Sequence, residues 1–238
     1  MLSVICPIYN EEEYINQCIE SILMQDYPKN DLEILFVDGM SKDKTRDIVK
    51  EYSEKYPFIH LLDNPKKIVP CAMNIGIKAS RGDIIIRLDA HANYEKNYFS
   101  VLSHRLIELG AENVGVVCKT DVLNKTPKTF AIREVLSNKF GVGNSIFRTG
   151  VDKVMEVDTV PFGCWRRDVF DKYGLYDERL IRNQDFELNY RIRKGSGRIF
   201  IVPDSNCTYY ARESFKKLWI QNYKNGLWGI RTVLFYRE

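Results

Sequence analysis

The first half of the chain alternates short apolar runs with amphipathic stretches. Short apolar runs between turn residues predict β-strands, whereas apolar residues spaced three and four apart predict helices. The predicted strands are Leu2–Cys6, Leu32–Val37, Phe58–Leu62, Asp83–Leu88 and Val114–Cys118. The predicted helices are Glu11–Met24, Asp43–Lys55, Pro70–Ala79 and Glu95–Leu109. Strand–helix alternation of this kind predicts an α/β fold in which helices flank a parallel sheet.

The second half of the chain is less regular. We predict mixed structure over Lys119–Thr149 and an apolar, strand-like segment over Glu156–Trp165. A helix over Asp185–Lys194 and a strand over Arg198–Val202 follow. Neither an internal repeat nor a linker-like segment interrupts the chain, so the sequence predicts a single domain.

Composition narrows the class of protein. With 238 residues, 45% hydrophobic and 28% charged, the chain suits one soluble globular domain. The net charge of +3 is too small to argue for nucleic acid as a partner. Six scattered cysteines with no paired spacing are typical of small buried side chains in a reducing compartment. Neither a signal-peptide pattern nor a membrane-spanning run is present, which predicts a cytoplasmic location.

Polar residues follow several of the predicted strands. Asp38 ends the second strand, and Asp89 and His91 follow the fourth. Ligands of parallel sheets bind at the carboxyl ends of the strands. An aspartate and a histidine separated by one residue suit a divalent cation held against a diphosphate, although a turn aspartate and an exposed loop histidine would give the same pattern. Neither a GxGxxG nor a Walker motif occurs, which disfavours dinucleotide and P-loop folds.

These motifs, in this order, resemble glycosyltransferase family 2. The segments that carry the resemblance are Pro7-Ile8-Tyr9-Asn10-Glu11-Glu12, Val37–Ser41, Asp89-Ala90-His91 and Asn183-Gln184-Asp185. The second half, especially Val157–Gly163 and Tyr176–Arg191, is similar to the succinoglycan-biosynthesis type of glucosyltransferase. The resemblance implies the GT-A fold, a Rossmann-like domain with a mostly parallel central sheet. Residues 1–118 would form its nucleotide-sugar-binding half and residues 119–238 its acceptor-binding half.

The resemblance also assigns roles to individual residues. It implies a nucleoside site at Pro7, Tyr9, Glu11 and Asp38, and a contact of Asn74 with the donor. It also implies a metal site at Asp89 and His91 and a catalytic base at Asp185. Two positions depart from the family pattern. Gly39 stands where many members have a second aspartate, and His91 stands where an aspartate is usual. A related group of polypeptide GalNAc-transferases uses Asp-x-His with manganese, and imidazole favours Mn²⁺ over Mg²⁺.

The implied reaction is a single displacement that inverts the anomeric centre. The donor would be a UDP-sugar, with UDP-glucose the first candidate. The acceptor would be a carbohydrate or a lipid-diphosphate-linked sugar in bacterial surface-glycan synthesis. An acidic residue in the first turn of a helix is often only a dipole partner, and Glu187 competes with Asp185 for the role of base. A non-catalytic UDP-sugar-binding module and a sugar nucleotidyltransferase remain alternatives.

The last segment, Phe215–Tyr236, is aromatic and basic. Residues 190–238 contain ten Lys or Arg against three Asp or Glu, a local charge of +7. Trp219, Tyr223, Ile230 and Leu234 fall near one face of a predicted helix, although Gly226 and Gly229 weaken that prediction. The pattern fits a peripheral contact with the inner face of the plasma membrane, or a helix that docks on the core. Five more residues are candidates to approach the diphosphate or the acceptor: Arg148, Trp165, Arg166, Arg182 and Arg212.

Overall fold

A nine-stranded sheet forms the centre of the computed structural model, which describes residues 1–143 and 145–235. The strands are β1 Leu2–Ile8, β2 Leu32–Asp38, β3 Ile59–Asp63, β4 Ile84–Arg87, β5 Ala92–Tyr94, β6 Asn113–Asp121, β7 Met155–Glu156, β8 Cys164–Arg166 and β9 Ile199–Tyr210. Their order across the sheet is β3-β2-β1-β4-β8-β6-β9-β5, with β7 paired to β9. This mixed order confirms an α/β fold.

Helices connect and flank these strands. In the described part of the chain they are α1 Ile15–Leu23, α2 Thr45–Lys55, α3 Val69–Ala79, α4 Tyr98–Glu108, α5 Pro127–Ser137, α6 Lys139–Val142, α7 Ile146–Thr149, α8 Asp168–Tyr173, α9 Gln184–Lys194 and α10 Phe215–Phe235. A 3₁₀ turn, Lys29–Asp31, precedes β2. None of the described helices is long and apolar enough to cross a membrane.

The first four strands of the sequence pair in parallel, as the alternation predicted. β1 lies between β2 and β4, and its register with β2 runs from Leu2 opposite Leu32 to Ile8 opposite Asp38. Every residue of β2 is buried, which is typical of a parallel strand covered on both faces. The polar residues after β1, β2 and β4 therefore emerge at one edge of the sheet.

The second half of the chain adds antiparallel pairs. β8 pairs antiparallel with both β4 and β6, while β6 and β9 are parallel to each other. The strand predicted to end at Val202 continues to Tyr210, because a register shift between Val116 and Val117 accommodates Pro203. Because a proline has no N–H to donate to a neighbouring strand, the strand was predicted to end before Pro203, although it continues beyond it.

Some elements differ from the prediction. The first helix begins at Ile15 rather than Glu11, because residues 11–14 form the turn after β1. β5 was not predicted, since three residues are too few to show a period. The single strand predicted over Glu156–Trp165 is wrong. The chain there forms β7 and β8, separated by a loop in which Phe162 and Gly163 have positive φ.

Apolar side chains pack on both faces of the sheet. Alternation along β1 sends Val4 to the layer that contains α1 and α4, and Ile5 to the layer that contains α3, α8 and α9. All six cysteines are buried and free, as predicted. Helices α1 and α3 therefore lie on opposite faces of β1, so the loops at its carboxyl end are held from both sides.

A buried carboxylate joins β1, β2 and the turn before β4. The Glu33 side chain is 2% exposed, and it accepts hydrogen bonds from the Ser3 hydroxyl at 2.6 Å and from Arg81 Nε at 3.1 Å. Burial alone would raise the pKa of Glu33. The backbone N–H of Arg81, the Ser3 hydroxyl and the Arg81 guanidinium outweigh burial and lower it.

Glu33→Gln is expected to reduce the free energy of unfolding by about 1–2 kcal/mol near neutral pH, because the amide cannot accept all of these hydrogen bonds. A carboxylate with a lowered pKa stabilises the fold above its ordinary pKa, and this contribution is lost as the pH falls through the folded-state value. Urea unfolding should therefore show a difference in the free energy of unfolding between wild type and variant, and this gap should become smaller in acid. The exposed Glu134 supplies a control as Glu134→Gln. A gap of constant size from neutral to acid pH would contradict the assignment.

Candidate active site

A cleft of about 660 Å³ opens at the carboxyl edge of the parallel strands. Asp89 and His91, which follow β4, line it together with Asn183 and Gln184 at the start of α9. Helix α10 contributes another wall through residues such as Lys217 and Lys224. The cleft therefore joins the end of β4 to the second half of the chain. A larger depression of about 850 Å³ lies along β3 and contains none of the predicted site residues.

Asp89, His91 and Glu11 form a compact charged cluster where this cleft meets a narrower pocket that Glu11 lines. His91 Nδ1 lies 2.9 Å from Asp89 Oδ1 and 3.4 Å from Glu11 Oε1. Burial disfavours the charge on both His91 and Asp89. Each charge nevertheless stabilises the other, so the pKa of His91 is raised to about 11 and that of Asp89 is lowered to about 2. The cluster thus holds one positive charge between two carboxylates.

The same donor atoms fit a divalent cation that a diphosphate helps to hold. The carboxylate of Asp89 and the imidazole of His91 are close enough to ligate one ion once His91 has lost its proton, and the cluster already stabilises positive charge there. In residues 1–143 and 145–235, no group of three or more His, Cys, Asp or Glu is arranged to hold a metal. Asp89 and His91 would then be two of the ligands, and the rest of the shell would come from phosphate oxygens and water.

A narrower pocket of about 120 Å³ adjoins the cluster and shares Asp89 and His91 with the main cleft. Pro7, Tyr9 and Glu11 line it, and their contact with a nucleoside stays a prediction. The Tyr9 ring is half exposed and lies over Gly39, where an added Cβ would come within 3.1 Å of a ring carbon. A side chain at position 39, where the family pattern has an aspartate, would therefore press on the Tyr9 ring unless that ring shifted by a few tenths of an ångström.

The structure does not bring Asp38 to the surface of either cavity. Its carboxylate is fully buried and accepts hydrogen bonds from the Ser41 backbone and hydroxyl and from Arg46 Nη1, the last at 2.6 Å. Asp38 does not cap the following helix, since α2 begins only at Thr45. These bonds fix the turn on which Gly39 lies. Direct contact between Asp38 and a nucleoside stays a prediction.

Asn74 also lies away from both cavities. Its amide donates to the carbonyl of Tyr176 at 2.9 Å and to Glu178 at 3.1 Å, and its oxygen accepts from the Tyr176 N–H at 3.0 Å. Glu178 is in turn ion-paired to Lys66 at 2.6 Å. The amide thus holds residues 176–178 against α3, close to the loop that leads into the narrower pocket. The contact of Asn74 with a donor stays a prediction.

The predicted base, Asp185, lies in the first turn of α9 and forms an ion pair with Arg87 at the end of β4. Arg87 is almost completely buried, whereas the Asp185 side chain is 26% exposed. Burial and the charge of Asp185 raise the pKa of the neighbouring Tyr176 hydroxyl. The competitor Glu187 is buried and bound by Arg191 at 2.5 Å, so it does not face the cleft. Asp185 is therefore the exposed carboxylate of this turn. Its neighbours Asn183 and Gln184 line the cleft, whereas Asp185 itself lines neither cavity, and its role as base stays a prediction.

The charged side chains in the rest of the cleft lining are all positive. They are Arg148, Arg182, Arg212, Lys217 and Lys224. Within the described part of the chain, none of these five lies within ion-pair distance of a carboxylate. Two further sequence candidates are elsewhere: Trp165 is buried against Phe170, and Arg166 binds Asp168. The cleft therefore suits an anionic ligand.

Sequence reasoning missed Tyr209, which also lines the cleft. Its ring centroid lies 5.4 Å from that of His91, and the Arg148 guanidinium lies 5.5 Å from the same ring. Tyr209 lies opposite Ala92 in the pairing of β5 with β9. Tyr209 could not be placed at the site from the sequence, because the predicted strand ended at Val202, before the register shift.

Comparison with known proteins places the chain in a family. The family model described as "Glycosyl transferase family 2" matches residues 3–174. A dolichyl N-acetyl-alpha-D-glucosaminyl phosphate 3-beta-D-2,3-diacetamido-2,3-dideoxy-beta-D-glucuronosyltransferase of Methanococcus voltae is 32% identical over 91% of this chain and 68% of its own length. The succinoglycan biosynthesis protein ExoA of Rhizobium meliloti is 29% identical over 98% of this chain and 70% of its own length.

Solved structures share the fold at lower identity. The mannosyltransferase PcManGT of Pyrobaculum calidifontis, solved with GDP-Man and Mn²⁺, has a TM-score of 0.74, 18% identity and full coverage of this chain. The S. aureus TarS fragment with UDP-GlcNAc has a TM-score of 0.69, 20% identity and 90% coverage. This chain spans 65% and 59% of those two chains, respectively. The fold is GT-A, and the chain belongs to glycosyltransferase family 2.

Proposed function

We propose that this glycosyltransferase moves a sugar from a UDP-sugar to a carbohydrate or lipid-diphosphate-linked sugar acceptor, with inversion at the anomeric carbon. The observation that carries the proposal is the convergence of Asp89, His91 and the α9 turn of Asp185 around one cationic cleft. The names of the relatives favour glycan synthesis, and UDP-glucose is the first candidate donor. The proposed location is the cytoplasm, with the protein peripheral on the inner face of the plasma membrane.

The donor would bind across the narrow pocket and the charged cluster. Tyr9 offers a flat face for the base, Pro7 and Glu11 line the pocket beside it, and Asp89 would lie near the ribose. Asp89 and His91 would hold a divalent ion, with Mn²⁺ favoured over Mg²⁺. When bound, that ion neutralises the departing diphosphate. Residues 1–118 would thus bind the donor, and residues 119–238 the acceptor.

The acceptor hydroxyl must lose a proton as it attacks. A carboxylate oxygen of Asp185 takes that proton while the hydroxyl oxygen bonds to the anomeric carbon and the bond to the diphosphate breaks. One displacement without a covalent intermediate inverts the centre, so an α-linked donor gives a β-linkage. Arg87 holds the Asp185 carboxylate by an ion pair, while the Asp185 side chain stays 26% exposed. An acceptor in the cleft would approach it beside Asn183 and Gln184.

Asp185→Asn is expected to reduce transfer by about 10²–10⁴-fold, because the amide cannot accept the proton. UDP affinity, measured by calorimetry with Mn²⁺, should stay within about twofold of wild type. The control is Asp168→Asn, which alters another aspartate in the first turn of a helix, exposed and remote from the cleft. Full transfer by Asp185→Asn would remove Asp185 from the role of base. UDP binding by the wild type without hydrolysis or transfer would favour a binding module instead.

Arg87→Gln is expected to lower kcat by about 10–100-fold, because a base displaced by an ångström loses most of its effect. Arg87→Lys should recover part of the loss, since the ammonium keeps the charge but not the planar fork. In an Asp185→Asn background, Arg87→Gln should add little further loss of transfer. UDP binding confirms that each variant is folded. Independent, multiplicative losses in the double variant would contradict a role for Arg87 through Asp185.

His91→Ala is expected to weaken Mn²⁺-dependent UDP binding at least about tenfold, because one of two protein ligands is removed. Asp89→Asn should act in the same direction. Calorimetric titration of UDP with Mn²⁺, with Mg²⁺ and with a chelator measures the effect. The control is His104→Ala, because His104 is exposed on α4. Equal UDP affinity with Mn²⁺ and with chelator would contradict the metal site.

A further inference from the structure

Helix α10 presents three different faces along its length. Leu218 and Thr232 are buried and form the face that packs on the protein. Lys217 and Lys224 lie on a second face, which lines the cleft. The third face points to solvent and is apolar. A helix that only covered the core would bury its apolar stripe, so the third face needs a different explanation.

The outward face forms a continuous apolar stripe. Its side chains recur every three or four residues and are 38–66% exposed: Phe215, Trp219, Tyr223, Leu227, Ile230 and Leu234. Trp219 and Tyr223 stack on each other, with ring centroids 5.5 Å apart. At 1.5 Å per residue the stripe is about 28 Å long. An exposed apolar surface of this extent marks a site of interaction.

The charged side chains of α10 all have one sign. From Phe215 to Phe235 the helix contains Lys216, Lys217, Lys224 and Arg231 and no aspartate or glutamate. In the described residues, none of these four cations is ion-paired. An apolar stripe with Trp and Tyr, flanked by cations alone, is complementary to an anionic lipid surface. A second protein chain would need an apolar surface with a matching row of carboxylates.

We propose that α10 lies in the plane of an anionic bilayer surface, with the apolar stripe at the boundary between headgroups and acyl chains. The cations beside the stripe would contact lipid phosphates. Because the cleft opens beside the same helix, an acceptor anchored in that bilayer would enter next to Lys217 and Lys224. This last step rests on the proposed function, whereas the docking surface rests on the helix alone.

Vesicle co-sedimentation of the full chain tests the surface. We expect binding to vesicles of 70% phosphatidylcholine and 30% phosphatidylglycerol and weak binding to pure phosphatidylcholine. Ile230→Ser should weaken binding about tenfold, since one large apolar side chain is lost from the interface. Ile107→Ser is the matched control, because Ile107 is 60% exposed on α4 while Ile230 is 64% exposed. The pair Lys216→Gln and Arg231→Gln should weaken binding about fivefold per charge and reduce its salt sensitivity.

Calorimetry with UDP and Mn²⁺ separates this inference from the proposed function. If the wild-type chain binds vesicles but does not bind UDP, the docking surface is supported and the proposed function is overturned. Intact UDP binding, together with equal sedimentation of Ile230→Ser and Ile107→Ser, overturns the surface. A concentration-dependent dimer in sedimentation velocity that Ile230→Ser abolishes would assign the stripe to a second copy and would also overturn the proposal.

Discussion

The ion pair between Arg87 and Asp185 connects the two parts of the site. Arg87 ends β4, two residues before Asp89, and Asp185 begins α9 nearly a hundred residues later. A guanidinium this deeply buried is costly to desolvate. Removal of its partner would leave the charge uncompensated and destabilise the fold by about 3–5 kcal/mol. The two partners therefore stabilise each other's position, and with it the distance between the loop of Asp89 and His91 and the start of α9.

The charge balance of the cleft follows from the same arrangement. Its inner end holds two carboxylates around His91, while its walls carry arginines and lysines without ion-pair partners in the described residues. A cation at the inner end and phosphate groups beside it would satisfy both sets of charges. An anionic nucleotide-sugar thus suits the cleft better than a neutral sugar alone, because a neutral ligand would leave the walls uncompensated.

Sequence patterns predicted what depends on local order. The buried strand β2 and the amphipathic helix α1 were found because their apolar residues recur at the period of the element. The pairing of Asp185 with Arg87 was not predictable, since it joins distant segments across the sheet. Asp38 and Asn74 were expected at the donor, yet each is fully engaged by hydrogen bonds inside the protein. A motif gives the position of such a residue, and only its neighbours decide which way the side chain faces.

The position of β8 has a consequence for how this chain can be divided. β8, formed by Cys164–Arg166, lies between β4 and β6, so the strand at residues 113–121 reaches the parallel sheet only through it. A fragment that stops at residue 118 would expose the free edge of β4 and leave β6 without its partners β8 and β9. The segments before and after residue 118 thus share one sheet, and neither could be exchanged as a module by a simple cut.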